Sequence, residues 1–408
     1  MPMDPRELAA QMVAGVTAEG RRIGELSLPD AAPADRARAQ RLALATLRNL
    51  ARADQVLAPY LRQTPAPPVQ ALMRVATVEM LELGAPAHGV VNAAVSALRA
   101  GRKTAAAAGM ANAVLRKVAA YEGWSELAVQ RLPGWLRRRL KAAYGEPAVL
   151  AFEQAHAEGA PLDLTLKPGG AAPEGRELPN GSLRIDGPVQ VSALAGFDDG
   201  AWWVQDAAAS LPATLLAIRE GERVLDLCAA PGGKTMQLAA AGGRVTALDV
   251  SDARLERLRD NLRRTGLAAT VVTADALHWT PDEGFDAVLL DAPCSATGTI
   301  RRHPDLPFVR KPADVAALID LQAALLDRSL GFLKPGGRIV FCTCSLLPDE
   351  GEAQITAALA RHKDLTVLPL PPLTFGRATP EGGWRTLPND LPGGNDGFYM
   401  ALLGRQPR

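Results

Sequence analysis

Residues 223–235 read Arg223-Val-Leu-Asp226-Leu-Cys228-Ala229-Ala230-Pro231-Gly232-Gly233-Lys234-Thr235. An apolar run with an acid inside it predicts a buried strand, and the small residues after it predict a tight turn that opens a helix near Thr235–Ala241. Such a turn lets backbone N–H groups and a helix N-terminus approach a ligand closely. Working outward, Arg244–Asp249 reads as a second strand and Ser251–Gly266 as a helix. Ala269–Thr273 and Phe285–Asp291 read as the third and fourth strands, and Pro312–Leu333 as a helix. Gly337–Thr343 reads as a fifth strand, Glu350–Arg361 as a helix, and Gly397–Leu403 as a late strand. Alternating strands and helices predict a doubly wound, mostly parallel sheet.

Three ligands compete for the turn. A nucleotide-triphosphate loop needs glycine five residues before Gly233-Lys234-Thr235, and Cys228 stands there. A dinucleotide fingerprint needs Gly-x-Gly-x-x-Gly, which is absent. A methyl donor with an amino-acid end and a ribose fits both the turn and Asp249, 23 residues after Asp226, where an acid can accept from ribose hydroxyls. Asp275 follows the third strand, either capping a turn or facing a base.

The fourth strand runs into Asp291-Ala-Pro293-Cys294-Ser295, and the fifth into Cys342-Thr-Cys344-Ser345. Ligands of open α/β sheets sit beyond the carboxyl ends of the strands, so Asp291, Cys294 and Cys344 are expected in one crevice. Carbon 5 of cytosine is a poor nucleophile. A thiolate added to C6 makes C5 enamine-like, a carboxyl near N3 favours that addition, and a second thiol can assist release. We expect Cys294 and Cys344 to be the two working thiols, with Cys228 and Cys342 as loop-lining or packing thiols. Beyond Cys294, Arg301, Arg302 and His303 form a basic loop, read either as a phosphate contact or as solvated surface.

Upstream, an alanine-, leucine- and arginine-rich sequence with near-3.6 periodicity predicts a helical bundle over residues 1–145. Asp35 is expected to cap a helix running to Leu50. Further helices are expected at Pro68–Leu83, His88–Ala100, Ala105–Glu122, Ser125–Leu132 and Gly134–Tyr144. Residues 146–215 are expected to form a small α+β segment with strands at Leu162–Leu166, Leu183–Ile185 and Val189–Val191, ahead of a catalytic domain over 216–408. The net charge is only +1, but residues 1–150 hold 20 basic and 12 acidic residues, leaving 25 and 32 for the rest. That asymmetry suggests a polyanion partner for the first part, or arginines kept for solubility. The run Arg137-Arg138-Arg139 with Lys141 is either an RNA-backbone patch or a helix end complementing its dipole. The four cysteines form no Cys-x-x-Cys pair and the five histidines are scattered, so no metal site is expected. No apolar run is long enough for a membrane span and residues 1–20 do not resemble a secretory leader, so the expected location is the cytoplasm.

Val224-Leu-Asp-Leu-Cys-Ala-Ala-Pro-Gly-Gly-Lys-Thr, Asp291-Ala-Pro-Cys-Ser, Arg301-Arg-His-Pro-Asp, Thr343-Cys-Ser, Asp396-Gly-Phe-Tyr and the Gln205-Asp206 element together resemble the RNA cytosine-C5 methyltransferases of the Sun/Nop2 family. Gly89-Val-Val-Asn-Ala-Ala-Val and Asn112-Ala-Val-Leu-Arg116 resemble a NusB domain. The resemblance implies an α/β Rossmann-like class I methyltransferase with a doubly wound mixed sheet, after an all-α NusB-like domain. It implies S-adenosylmethionine held by Cys228, Ala229, Ala230, Pro231, Gly232, Gly233 and Lys234 with Asp249, Asp275 and Asp291. It also implies Cys344 as nucleophile, Cys294 in release, and Lys234 near the reacting end. The NusB-like domain points to small-subunit (16S) ribosomal RNA as substrate, with no membrane, metal or obligate protein partner. A NusB-like RNA-binding factor with a non-catalytic body, and a transfer RNA methyltransferase, are the alternatives. Two departures stand out: Ala296 occupies a position where the family usually has glycine, and Asp163-Leu-Thr-Leu-Lys replaces an Arg-Val-Asn type of segment.

Overall fold

A computed structural model describes residues 4–187 and 189–405. The chain divides into two compact units. The first comprises the chain up to Lys141, Glu146–Gly159 and Ile300–Arg310. The second comprises Ala142–Gly145, Ala160–Thr299 and the chain from Lys311.

In the helical unit, α1 (Pro5–Thr17) starts where proline fixes the first helical residue and the Asp4 carboxylate accepts from Arg6 N at 2.7 Å. It is followed by α2 (Pro33–Arg48), α3 (Leu50–Leu57), α4 (Pro67–Leu81), α5 (Ala87–Ala100), α6 (Ala108–Val118), α7 (Gly134–Tyr144) and α8 (Glu146–Glu158). α4 is the central helix, buried on nearly every side. Its Glu79, 3% exposed, accepts from Arg6 at 2.5 Å and Arg38 at 3.3 Å, so a buried carboxylate carries two paired cations.

Two expectations fail here. α2 begins at Pro33, with Ala32 at the cap and Asp35 in the first turn; the proline sets the start, and Asp35 acts through the helix dipole. The helix expected over Ser125–Leu132 is a single 3₁₀ turn, Trp124–Glu126, followed by irregular chain. Pro133 disfavours helical backbone at Leu132, and only Trp124 and Leu132 of this stretch are buried. α8 was missed, because its start coincides with the change of composition that suggested a boundary.

The second unit opens with a sheet of order β2-β3-β1-β4, built from β1 (Leu162–Leu166), β2 (Arg176–Glu177), β3 (Leu183–Ile185) and β4 (Trp202–Val204). The strand expected at Val189–Val191 is absent; a 3₁₀ turn, Val191–Ala193, follows instead. Val189 is 39% exposed, so no buried face favours a strand there. Asp163 and Arg184 form a fully buried bidentate pair at 2.7 and 2.8 Å. The guanidinium also donates to the carbonyls of Pro392 and Gly394, tying the small sheet to a distant loop.

Then come α9 (Ala207–Leu215), β5 (Arg223–Leu227), α10 (Gly233–Ala240), β6 (Arg244–Asp249), α11 (Asp252–Thr265), β7 (Ala269–Thr273), β8 (Phe285–Asp291), α12 (Pro312–Leu330), β9 (Leu333–Thr343), α13 (Glu352–Arg361), β10 (Leu365–Val367), β11 (Arg377–Ala378), β12 (Trp384–Thr386) and β13 (Phe398–Arg405). The large sheet runs β11-β12-β13-β9-β8-β5-β6-β7, with β10 also on β13. β7, β6, β5, β8 and β9 are parallel neighbours, and β13 returns antiparallel to β9. Both faces of the central strands are covered, so Val224, Leu225, Leu227, Val288, Leu289 and Leu290 are all fully buried and read as continuous apolar runs.

Candidate active site

The carboxyl ends of β5, β6, β8 and β9 place the candidate residues. After β5 the chain turns through Cys228, φ +61°, and Gly232, φ +103°, into α10. A side chain at Gly232 would put its Cβ 2.8 Å from Leu258 Cγ, so both backbone and space require glycine. Asp249, at the end of β6 and 2% exposed, accepts from Ala230 N at 3.2 Å and Ser251 N at 3.0 Å. Arg254 donates to the Ala230 carbonyl at 2.6 Å. The turn is thus fixed from outside, with Ala229 and Ala230 buried and Pro231 exposed. Gln205 braces it from behind: it accepts from Trp203 and Thr165, donates to Gln237 at 2.7 Å, and lies against Gly233. Asp206 caps α9 and accepts from Asp396 N at 3.0 Å. The Gln205-Asp206 element therefore joins the cofactor turn to the Asp396-Gly-Phe-Tyr string.

Asp226 is fully buried. One oxygen accepts from Thr235 at 2.6 Å, and the other has no partner. Burial pushes its pKa up to about 7 despite the Thr235 hydrogen bond. Asp291, at the end of β8, accepts from Lys234 Nζ at 2.8 Å. Burial of Lys234 disfavours its charge, but the Asp291 carboxylate beside it outweighs that and holds its pKa above the ordinary lysine value. Lys234 also lies 5.1 Å from the centre of the Phe398 ring. Asp275 accepts from Leu277 N at 2.9 Å, its other oxygen lies 3.8 Å from His278 Nε2, and its side chain is half exposed, so it caps a turn at the surface.

The two thiols meet. β8 and β9 pair in parallel with Asp291 opposite Cys342, so the segments beyond them run side by side. Cys294 Sγ and Cys344 Sγ are 3.4 Å apart. Cys294 is buried and Cys344 half-buried. The hydrogen bond with Cys344, then burial, raise the Cys294 pKa well above the ordinary thiol value, keeping it a thiol. Burial does the same for Cys228 and Cys342; Cys342 is 0% exposed with its sulfur 3.5 Å from Asp291, and Cys228 lines the turn.

The basic loop departs from expectation. Ile300–Arg310 groups with the helical unit, and Arg301 is fully buried, its carbonyl accepting from Arg48 at 2.8 Å. A side chain at 0% exposure presents no surface to a phosphate, so Arg301 leaves the set of backbone contacts. Arg302 is half-buried and His303 exposed. The 137–141 run is spent partly on α8: Arg137 pairs with Glu146 and Glu153, and Lys141 with Glu146 at 2.8 Å.

Three features escaped the sequence. Gly298 and Gly397 sit back to back, and a Cβ at Gly298 would lie 1.9 Å from the Gly397 carbonyl oxygen. Gly298 N donates to the Cys344 carbonyl and Gly397 N to the Gly298 carbonyl, both at 2.9 Å. Val250, directly after Asp249, is 70% exposed; an apolar residue bared beside an acid was the available signal. Glu350 is fully buried beneath both thiol segments.

A cofactor turn after the first parallel strand, acids beyond the next strands and a paired thiol site define an S-adenosylmethionine-dependent methyltransferase of the doubly wound class. The family model described as 16S rRNA methyltransferase RsmB/F matches residues 213–404, and that of the NusB family matches residues 3–120. The chain is 39% identical to the ribosomal RNA small subunit methyltransferase B of Xanthomonas campestris pv. campestris, over 98% of this chain and 96% of that one. It is 35% identical to the protein of the same name from Citrobacter koseri, over 98% of each. Among solved structures, a methyltransferase homolog from Pyrococcus horikoshii superposes with a TM-score of 0.57 at 28% identity, covering 66% of this chain and 93% of that one. PH0851 shares the fold over 99% of both chains, with a TM-score of 0.78 at 24% identity. The chain belongs to the RsmB/F family of 16S rRNA methyltransferases, with a NusB-family domain at its N-terminal end.

Proposed function

We propose that this enzyme transfers a methyl group to C5 of a cytosine in small-subunit ribosomal RNA through a covalent Cys344–C6 adduct. The observation that carries the reading is the 3.4 Å approach of the Cys294 and Cys344 sulfurs beyond adjacent parallel strands, one segment away from the cofactor turn. The names of the relatives supply the RNA class, and the thiol pair supplies the chemistry.

The residues present fit S-adenosylmethionine. The partnerless buried oxygen of Asp226 suits a cationic ligand end near the turn, Asp249 ends β6 beside that turn, Asp275 is half exposed, and Val250 offers an apolar surface to a base. Residues 228–234 would take the amino-acid end, Asp249 the ribose, Asp275 the base, and Asp291 the side nearest the thiols. When bound, the cofactor supplies an electrophilic methyl group on a sulfonium.

The chain's own residues do the rest. Cys344 sulfur, as thiolate, forms a bond to C6 while the C5–C6 π pair shifts to C4–C5 and the C4–N3 π pair moves onto N3, which takes up the proton released by the Cys344 thiol. Asp291 steadies a proton at N3, and Lys234 holds Asp291 in place. After C5 carries the methyl, its proton passes to solvent water, the C–H electron pair re-forms the C5–C6 double bond, the S–C6 bond breaks and N3 gives its proton back. Cys294, still a thiol, lies within reach of the departing sulfur and can protonate it.

For the helical unit we infer an RNA-backbone role. A groove of about 840 Å³ is lined by Arg62, Lys103 and Lys117 with Tyr60 and Met110, and no acid lines it. Lys117 lies 5.5 Å from the Tyr60 ring centre, pairing charge with a stacking surface. No helix among the described residues is long and apolar enough to cross a membrane, and we infer action in the cytoplasm. Methyl incorporation into bare small-subunit ribosomal RNA, with transfer RNA as the parallel arm, tests the reading; incorporation into transfer RNA alone contradicts it.

A further inference from the structure

We propose that Glu350 is the positioning residue that clamps the two thiol-bearing segments together and so sets the sulfur–sulfur geometry the reaction uses. The proposal rests on the thiol reading above for its catalytic consequence, but its geometry stands alone.

Glu350 follows β9 by seven residues and is 0% exposed. Four donors converge on its two carboxylate oxygens. Oε1 accepts from Ser295 N at 2.8 Å and from Gln322 Nε2 at 3.0 Å. Oε2 accepts from Ser345 Oγ at 2.5 Å and from Ser295 Oγ. Ser295 directly follows Cys294, and Ser345 directly follows Cys344. One carboxylate thus grips the residue next to each working thiol.

Gln322, fully buried on α12, extends the grip. It donates to the Pro293 carbonyl at 2.9 Å and accepts from Gln354 at 3.2 Å. Both residues flanking Cys294 are therefore held by the Glu350–Gln322 pair. The Glu350 carbonyl accepts from Thr343 Oγ1 at 3.0 Å, fixing the residue before Cys344 as well. Buried hydrogen-bond networks that are fully satisfied hold a single geometry, and here that geometry is the approach of two sulfurs. Glu350 acts on the two sulfurs through the neighbouring Ser295 and Ser345.

The test uses the full chain and two readouts. The first needs no RNA: diamide oxidises adjacent thiols, and peptide mapping by mass spectrometry gives the rate at which the Cys294–Cys344 bridge forms. Glu350→Ala is expected to slow bridging by about tenfold or more, since small misplacements of reacting atoms cost that much. The second is turnover on ribosomal RNA: kcat falls, KM for S-adenosylmethionine is unchanged, and a denaturation-resistant protein–RNA adduct accumulates. Glu350→Gln is expected to recover both rates to within about threefold, because its amide oxygen keeps two donors and the serine hydroxyls can turn to accept from its NH₂. Should Glu350→Ala not fold, Glu350→Asp decides, since it keeps the charge but withdraws the oxygens by one methylene. Wild-type bridging rate and kcat in a folded variant would overturn the proposal. Slowed bridging in a protein whose turnover does not need Cys344 supports the clamp and contradicts the thiol mechanism.

Discussion

Asp226 has one oxygen bonded to Thr235 and one facing no protein partner in a fully buried site. Its folded pKa of about 7 lies above the 3.8 of a free carboxyl. The folded state therefore holds a proton that the unfolded state releases, and the stability this contributes is complete below about pH 4 and lost as pH rises through about 7. Asp226→Asn keeps the Thr235 contact and has no proton to lose. Melts of the free protein from pH 5 to 8 should show wild type losing stability with rising pH and the variant flat, with the variant more stable by a few degrees at pH 8. The same variant should bind S-adenosylmethionine more weakly, because the partnerless oxygen is gone. Ala296 carries φ +58°, a left-handed backbone that costs a residue with a Cβ about 1–2 kcal/mol. The family's usual glycine removes that strain at some cost in chain entropy, so Ala296→Gly should be stabilising by up to about 1 kcal/mol, read from denaturant midpoints. The strain was invisible in the sequence, since only the departure from glycine marked the place.

Among the elements, β13 is held to the catalytic loop by two glycines in contact. Gly298→Ala would drive a Cβ into the Gly397 carbonyl, and overpacking of this kind costs roughly 1–3 kcal/mol. It should also lower kcat, because Gly298 N anchors the Cys344 carbonyl; a variant with wild-type kcat would show that the contact is not needed. Arg184→Ala should cost about 3–5 kcal/mol, because it strands the buried Asp163 carboxylate, and chemical denaturation reads it. Strands β5, β8 and the end of β9 were legible because both their faces are buried, which leaves unbroken apolar runs; β7, at the sheet edge with no buried residue, was legible from its β-branched residues. β4 and α9 were not. β4 has three residues, and α9 carries Pro212 inside it, which normally argues against a helix. The expected strand at Val189–Val191 had β-branched residues but no buried face.

On the scale of the whole molecule, the basic excess of residues 1–150 separates into two kinds of charge. Arg6, Arg38, Arg74 and Arg137 are committed to acids, whereas Arg62, Lys103 and Lys117 line an acid-free groove. Lys103→Glu with Lys117→Glu should weaken ribosomal RNA binding on the order of tenfold at physiological salt and reduce the salt dependence of binding, leaving KM for S-adenosylmethionine unchanged. The catalytic motifs were legible as short strings, because each must bring named atoms to one crevice. Which basic residues face solvent was not, because pairing depends on neighbours far along the chain: Arg301 looked like a loop cation and is buried. The central claim is that Cys344 attacks and Cys294 releases. It is tested most directly by incubating Cys294→Ala with ribosomal RNA and S-adenosylmethionine and separating the products under denaturing conditions. A stable protein–RNA adduct that disappears when Cys344 is also replaced is the predicted result; no adduct from an enzyme that still methylates, or an adduct that survives loss of Cys344, would contradict it.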